Sequence, residues 1–442
     1  MELLEWLSFE QVVYDELVQA RQEGKDVAPL GEELDRIRKQ PGPDNATALR
    51  NIYQRILDAK DRSGYPYVEP IGLAEIHAER RPSQVTTIQE TAFSRENLFD
   101  KVYGAWLGRC SGCLLGKPVE GMTAEQINAL LAWKEAWPLN FYIAQKGGLP
   151  PGFLMDEEQK KRYLTGTFEN VTQMLRDDDI DYSLIALSIL EKYGPDFSGE
   201  DVGATWLQTM PLLMTYTAER VAYRNFANGL KPPETGLAFN PYREWIGAQI
   251  RGDVWGYVNP GNPERAAVFA YRDATLSHRK NGVYGEMLIA AMIAAAFGAK
   301  NIREIIAAGL DQIPERSRLM ETAIRVMEWQ ERDHDWRITL GRILNCFADY
   351  NWFHTIPNAA IVIMALLYGE GDFEKSTTIA VMAGLDTDCN GATVGSIIGA
   401  YLGSAKLPAK WIDPLNDRVA TAVVGMSDTS IRDLAARTIA FV

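Results

Sequence analysis

The sequence predicts an all-α fold. Seven segments carry apolar residues at the three- and four-residue spacing of amphipathic or buried helices, and stretches containing Gly and Pro separate them. No series of alternating strand patterns joined by tight turns is seen along the 442 residues. The predicted helices are Arg95–Gly116, Ile180–Tyr193, Pro263–Ser277, Gly285–Phe297, Arg316–Glu331, Ile356–Leu367 and Ala392–Leu402.

The first 93 residues are predicted to form a helical appendage with its connector. Apolar stripes at residues 3–17 and 46–59 indicate helices, and the sequence PGPDN at 41–45 indicates a loop between them. From Tyr65 the helical pattern stops, and Pro-containing segments are typical of an extended connection. We therefore predict one main helical domain at residues 94–442, because no obvious linker divides it.

The amino-acid composition of the chain argues against several classes of protein. The chain has a net charge of -14, 46% hydrophobic residues and 24% charged residues, which is typical of a globular protein with a large core. The acidic balance argues against nucleic acid as the main partner. The apolar runs are too short to span a bilayer, and the N-terminus lacks a signal-peptide pattern. Four scattered cysteines indicate no disulfide framework, so we expect a cytoplasmic protein.

The stretch Gly384–Gly403 places Asp386 and Asp388 directly before a predicted helix with a glycine at every fourth position. Glycine is a poor helix former, so a glycine face predicts the close approach of another backbone or of a ligand. The acidic pair is equally typical of a helix cap and of a site for a hard cation.

A second acidic cluster, Asp177–Asp179, stands before the helix predicted at Ile180–Tyr193. Taken alone, this cluster is more typical of a capped surface helix. However, three adjacent carboxylates repel one another unless cations neutralise them. Two acidic helix starts therefore predict one shared site for Mg²⁺, Mn²⁺ or Ca²⁺, the cations that oxygen ligands suit.

A third stretch, Asp100–Gly121, repeats the four-residue glycine spacing and predicts a helix that packs on the first glycine face. Glu120 follows its end, either facing a pocket or as a solvated loop residue. Gly116-Lys117 departs from a phosphate-binding loop because residue 118 is Pro. Cys110 and Cys113 form an isolated CxxC, which we interpret as helix packing rather than as a metal or redox site.

The stretch 247–287 begins with a loop-like segment rich in Gly, Pro, Asn and aromatic residues. Such loops often carry function, and aromatic rings stack on sugars or bases, although core packing explains the rings as well. The predicted substrate-binding residues are Asp253, Trp255, Tyr257, Asn259, His278, Asn281 and Tyr284.

Together these stretches resemble the ADP-ribosylglycohydrolase family, which includes enzymes that remove ADP-ribose from modified dinitrogenase reductase. The resemblance covers about Asn97–Trp411. The family's Gly-rich helix ending in Glu is matched by Gly104–Glu120, and its Thr-Asp-Asp motif by Asp177–Asp179. Its Asp-x-Asp-Thr motif is matched by Asp386–Cys389, and its Thr-His element by Ser277-His278.

The resemblance implies a compact orthogonal bundle of helices with a two-cation Mg²⁺ (or Mn²⁺) centre that cleaves a ribosyl bond at the anomeric carbon. The implied metal residues are the carboxylates of Asp178, Asp179, Asp386 and Asp388, with Asp177 and Cys389 at peripheral positions. Glu120 or Asp178 would orient or deprotonate the water. Cys113 and Cys389 stand where the family usually has Asp and Thr. The expected substrate is a small glycoside or an ADP-ribosylated molecule.

Two other functions stay open. Residues 177–181 satisfy the DDxxD motif of Mg²⁺-dependent all-α diphosphate synthases, but no second motif of that class is found. A non-catalytic binding or structural protein on the hydrolase scaffold is the third reading. The retained aspartates argue against it, because like charges are costly to hold together without cations.

Overall fold

The computed structural model describes residues 7–39, 45–83, 93–427 and 429–442. Within these ranges the chain forms 21 α-helices and a two-stranded antiparallel sheet, which confirms the all-α prediction. The strands are β1 Arg418–Val419 and β2 Thr429–Ser430. The helices are α1 Phe9–Gln22, α2 Ala28–Lys39, α3 Asn45–Leu57, α4 Leu73–Ala78, α5 Arg95–Gly116, α6 Ala124–Trp133, α7 Glu157–Gly166, α8 Asp178–Tyr193, α9 Gly199–Thr209, α10 Thr217–Ala227, α11 Asp253–Tyr257, α12 Pro263–Ala274, α13 Asn281–Ala296, α14 Ile302–Leu310, α15 Arg318–Asp333, α16 Trp336–Cys346, α17 Thr355–Gly369, α18 Phe373–Met382, α19 Thr387–Leu402, α20 Ala409–Ile412 and α21 Ile431–Thr438.

All seven predicted helices are present. Their observed first residues differ most from the predicted ones where polar residues form the first turn of the helix. Helix α5 has the predicted bounds, whereas α19 begins at Thr387 rather than at Ala392. The prediction began at the first apolar residue, but the helical backbone begins at the polar residues that flank the cap. As a result, Asp388 lies in the first turn of α19.

The N-terminal helices α1 to α3 bury a small apolar cluster of their own, separate from the large core that α5 and α19 share with the other helices. Ion pairs join α1 to the rest of the chain: Arg243 contacts Glu16 at 2.9 Å and Glu23 at 2.7 Å, and Lys280 contacts Glu23 at 2.6 Å. The connector predicted as extended contains the short helix α4. Residues 41–44 of the predicted loop lie outside the described residues, and the division at residue 94 stays a prediction.

None of the described helices combines the length and the apolar character needed to cross a bilayer. Helices α13 and α17 are apolar and buried over their whole length, as expected for the centre of a large helical core.

Helices α5 and α19 pack antiparallel, backbone against backbone. A Cβ atom built on Gly104 would lie 2.7 Å from the carbonyl oxygen of Gly399, and one built on Gly108 would lie even closer to that of Gly395. These separations are shorter than any normal carbon–oxygen contact, so only glycine fits. The contact predicted from the glycine spacing is confirmed, and it brings the end of α5 to the start of α19.

We expect Gly395→Ala to lower the free energy of unfolding by about 3 kcal/mol, because the new methyl group overlaps the backbone of Gly108. Helix propensity alone favours Ala over Gly by about 1 kcal/mol, so the overlap decides the sign. Urea unfolding followed by circular dichroism measures the change.

The matched control is Gly341→Ala on α16, where nothing lies within 4 Å of the added Cβ. This substitution should raise the free energy of unfolding by about 0.5–1 kcal/mol. If the two variants unfold at the same urea concentration, the close contact of α5 and α19 is wrong.

Candidate metal centre

The end of α5 and the start of α19 are tied together by a hydrogen bond. The hydroxyl of Thr387 donates to the carbonyl oxygen of Gly116 at 2.8 Å. A 3₁₀ turn, Lys117–Val119, continues from α5 and delivers Glu120 to the same region. The polar residues that follow α5 therefore meet the acidic residues that begin α19.

The two acidic helix starts differ in how their first aspartate is used. Asp177 caps α8, since its carboxylate accepts the backbone N–H of Asp179 at 3.0 Å. Asp386 holds the same position before α19 but makes no side-chain capping bond. Capping therefore explains Asp177, and it leaves the carboxylate of Asp386 without that structural role.

Two overlapping groups of buried ligand atoms are found among the described residues at this junction, each with its atoms within 4.8 Å of one another. Asp388 belongs to both groups, so the two acidic segments meet as one cluster. The first group, called the lysine-side group below, is Cys113, Asp177, Asp179 and Asp388; the second, called the open group, is Asp386, Asp388 and Cys389.

Burial and mutual repulsion disfavour the charged forms of Asp178, Asp179, Asp386 and Asp388. In Asp177, by contrast, the ammonium of Lys117 acts against burial, and the pKa is lowered. Burial, followed by the charge of Asp177, raises the pKa of Asp178 to about 8 and that of Asp388 to about 6. Burial also raises the pKa of Asp179 and of Asp386. Oδ1 of Asp388 is buried without a hydrogen-bond partner among the described residues. A hard cation would meet that need, and the open group offers the carboxylate oxygens that Mg²⁺ prefers.

One face of α5 and of the turn after it brings two positive charges and a thiol to the cluster. Sequence reasoning assigned neither Arg109 nor Lys117 to a site, and it interpreted Cys113 as helix packing. Arg109, Cys113 and Lys117 follow one another at intervals of four residues, so they project from the same side of the helix. Arg109 donates to the backbone carbonyl of Asp179 at 2.6 Å and contacts its carboxylate at 3.3 Å. Lys117 forms an ion pair with Asp177. The regular spacing of charged residues on a glycine-rich helix was the available signal.

The cysteines of the cluster are buried thiols. Burial raises the pKa of Cys113 and of Cys389 well above 9, so both carry their proton at neutral pH. The thiol of Cys389 contacts Oδ2 of Asp179 at 3.0 Å as a donor. Cys110 packs in the core, as interpreted from the sequence, but Cys113 does more than pack because its sulfur belongs to the lysine-side group.

Glu120 lies beside the cluster rather than in a solvated loop. Its carboxylate is 3.3 Å from Nε of Arg162. Burial and then the charge of Asp388 raise the pKa of Glu120 well above 4.5, against the opposing effect of Arg162. A carboxyl group with a raised pKa is a stronger base than an ordinary glutamate.

Comparison with known proteins places these motifs in one family. A family model described as ADP-ribosylglycohydrolase matches residues 94–440, which is most of the chain. The chain belongs to the ADP-ribosylglycohydrolase family. A solved structure of an ADP-ribosylglycohydrolase-related protein complex aligns with 78% of this chain and 98% of its own, at 19% identity and a TM-score of 0.45. No curated protein matches the chain.

In this member of the ADP-ribosylglycohydrolase family, the segment predicted as a loop after residue 247 is folded and buried. Gln249–Arg251 forms a 3₁₀ turn and Asp253–Tyr257 forms α11, so the loop prediction is wrong. Its Gly and Asn residues indicated a loop, but its apolar and aromatic residues fill the core. All seven predicted substrate-binding residues are at most 3% exposed: Asp253, Trp255, Tyr257, Asn259, His278, Asn281 and Tyr284.

Most of the polar atoms of these seven residues contact other protein groups. Asp253 accepts a hydrogen bond from Arg109 at 2.7 Å, one layer behind the acidic cluster. The hydroxyl of Tyr257 contacts Ser396 at 2.6 Å.

The other predicted substrate-binding residues are engaged in the same way. Nδ1 of His278 contacts Ser277 at 2.8 Å. Asn281 donates to Glu69 and Glu244 at 2.8 Å, and Tyr284 donates to the carbonyl of Pro70. The ring of Trp255 stacks on Phe197 at 4.7 Å, and Asn259 donates to the carbonyl of Trp255 at 2.8 Å. Substrate contact by these residues stays a prediction; in the structure they hold the core.

We expect Mg²⁺ to raise the melting temperature of the wild-type protein and to have little effect on Asp388→Asn. Without divalent cations, Asp388→Asn should melt at a higher temperature than the wild type, because the substitution removes a buried charge that repels Asp177. Differential scanning fluorimetry in EDTA and in increasing Mg²⁺ measures both effects. The control is Asp35→Asn on the exposed face of α2, which should follow the wild type in both conditions. An equal Mg²⁺ effect in wild type and Asp388→Asn would contradict this assignment.

Proposed function

We propose that the chain is a Mg²⁺-dependent hydrolase, or one that uses Mn²⁺, that cleaves a glycosidic bond at an anomeric carbon. A ribosyl bond is the first candidate, and an ADP-ribosyl group is its most specific form. Family membership supports the reaction class. The observation that supports a bound cation is the state of Asp388. It is buried beside Asp386, and its Oδ1 has no hydrogen-bond partner among the described residues.

The metal residues follow from the cluster and from the resemblance. Asp386 and Asp388 supply carboxylates from α19. The resemblance adds Asp178 and Asp179 from the start of α8, but of these two only Asp179 belongs to a ligand group among the described residues. Asp177 and Cys389 are assigned to the periphery. Whether one or two cations bind is a separate question, because the ammonium of Lys117 is itself a positive charge that pairs with Asp177 in the same cluster.

A bound divalent cation supplies a positive charge that orients sugar hydroxyls and activates a water molecule. Glu120 is proposed to take the proton of that water, with Asp178 as the alternative. The raised pKa of Glu120 suits a base, and its contact with Arg162 fixes the direction of the carboxylate. Cleavage at an anomeric carbon develops positive charge on the sugar, which the surrounding carboxylates stabilise.

The diphosphate-synthase alternative is weakened by the last aspartate of the DDxxD motif. Asp181 accepts the backbone N–H of Ala422 at 3.0 Å and a hydrogen bond from Thr421 at 2.5 Å, and it pairs with Arg176 at 2.8 Å. Both oxygens of the Asp181 carboxylate are therefore engaged by protein groups. A non-catalytic role on the same scaffold is the remaining alternative, and turnover distinguishes it.

The expected activity is Mg²⁺-dependent release of a free sugar. The substrates to be compared are ADP-ribosylated protein, ADP-ribose conjugates, nucleosides, simple glycosides and prenyl diphosphates, each with Mg²⁺ and with EDTA. Chromatography and mass spectrometry identify the products. Pyrophosphate as the product would reject the hydrolase and favour the synthase, whereas no turnover with any substrate class would favour the non-catalytic role.

We expect Glu120→Gln to lower kcat by about 10²–10³-fold while Mg²⁺ still raises the melting temperature, because the amide keeps the shape of the side chain but accepts no proton. The matched control is Glu125→Gln, an exposed residue in the first turn of α6. Steady-state kinetics and fluorimetry separate the two effects. If Glu120→Gln keeps wild-type kcat, the base is another residue and Asp178 becomes the candidate.

A further inference from the structure

Lys117 is a protein cation inside the carboxylate cluster. Its side chain is 15% exposed, and its ammonium forms an ion pair with Oδ2 of Asp177. A lysine ammonium paired with a carboxylate carries its positive charge at neutral pH. The other oxygen of Asp177 accepts the backbone N–H of Asp179. Both oxygens of Asp177 are therefore engaged by the protein.

The other members of the lysine-side group are also poorly suited to a second hard cation. Oδ1 of Asp179 contacts Arg109 at 3.3 Å, and Oδ2 accepts the contact from Cys389 at 3.0 Å. Cys113 offers sulfur, which Mg²⁺ does not favour as a ligand. Only Asp388 remains, and the open group shares it.

The open group also contains a thiol, that of Cys389, but its carboxylates differ from those of Asp177 and Asp179. Asp386 makes no capping bond, and Oδ1 of Asp388 has no hydrogen-bond partner within the described part of the chain. Ion-pair contacts within 4 Å join Lys117 to Asp177 and Arg109 to Asp179, and none joins a described Lys or Arg to either carboxylate of the open group. Direct ion pairs therefore neutralise Asp177 and Asp179, whereas Lys117 acts on Asp388 only at longer range and the open group is left to an external cation.

We infer that the ammonium of Lys117 takes the place of one of the two cations implied by the family resemblance, so that this chain binds a single divalent cation at Asp386 and Asp388. The inference rests on the proposed cation-dependent function. Lys117 then acts as a permanent charge beside an exchangeable one. An ammonium has three N–H donors, and the ion pair with Asp177 uses one of them, which leaves donors to hold an oxygen of the substrate.

The test counts bound Mn²⁺ on the full chain without substrate. Isothermal titration calorimetry should give one Mn²⁺ per chain for the wild type, and electron paramagnetic resonance should give the six-line spectrum of an isolated ion. Two ions per chain, or the spectrum of an exchange-coupled pair, would overturn the inference.

Two further substitutions locate the ion. Asp386→Asn should lose Mn²⁺ binding, whereas Asp177→Asn should still bind one Mn²⁺. Loss of binding in Asp177→Asn would overturn the inference, as would full binding in Asp386→Asn.

Lys117→Met tests the lysine itself. Removing the ammonium releases Asp177, so this variant should bind two Mn²⁺ and should regain in Mn²⁺ the melting temperature that it loses in EDTA. The matched control is Lys375→Met, which changes an exposed lysine and should keep one ion. If Lys117→Met folds and binds a single ion, Lys117 is not what excludes the second. If it does not fold, the wild-type count and the two aspartate variants still decide.

These results are separable from those on function. A chain that binds one Mn²⁺ and releases no sugar from any substrate would reject the proposed hydrolase and leave the cation count standing. A chain that binds two Mn²⁺ and turns over would do the reverse.

Discussion

The contact between the backbones of α5 and α19 is the constraint on which the metal centre depends. Side chains normally separate helix axes by 8–10 Å or more, and the glycines of these two helices remove that spacing. The close approach fixes the register, so Thr387 bonds to Gly116 and Asp388 joins Cys113 in one ligand group. A shift of either helix by one turn would separate these groups.

Close packing also explains why the cluster combines carboxylates with protein cations. Buried like charges destabilise the folded state unless opposite charges lie beside them. Arg109 forms an ion pair with Asp179, and Lys117 forms one with Asp177. Oδ1 of Asp388, which has no hydrogen-bond partner in the described part of the chain, is the part of this balance that the protein leaves open. Such local departures from full satisfaction are expected where a protein binds a ligand.

The sequence was most informative where a pattern repeats. Glycine spacing predicted the contact of α5 with α19, and the two acidic helix starts predicted a shared cluster that the structure brings together. Lys117 was passed over because Gly-Lys-Pro was compared only with a phosphate loop, and its spacing of four and eight residues from Cys113 and Arg109 was not considered. Its meaning depends on Asp177, sixty residues away in the chain.

The region from Asp253 to Tyr284 is where the sequence was least informative about the structure. Gly, Asn and aromatic residues are common both in binding loops and in tightly packed cores, and composition does not separate the two. Burial of Trp255 against Phe197 depends on contacts between distant segments, which local sequence does not encode. The seven residues chosen there are accordingly found in the interior.

The distance along the chain between α5 and α19 has a consequence for how the protein is made. Thr387 and Gly116 are 271 residues apart, and synthesis proceeds from the N-terminus. The glycine face of α5 therefore leaves the ribosome long before its partner exists, and glycine lends an isolated helix little stability. Until α19 has been synthesised, α5 lacks the surface that holds it and the acidic segment of α8 lacks its counterpart. A chain interrupted before residue 384 would lack α19 and its two aspartates, so the centre is completed only late in synthesis.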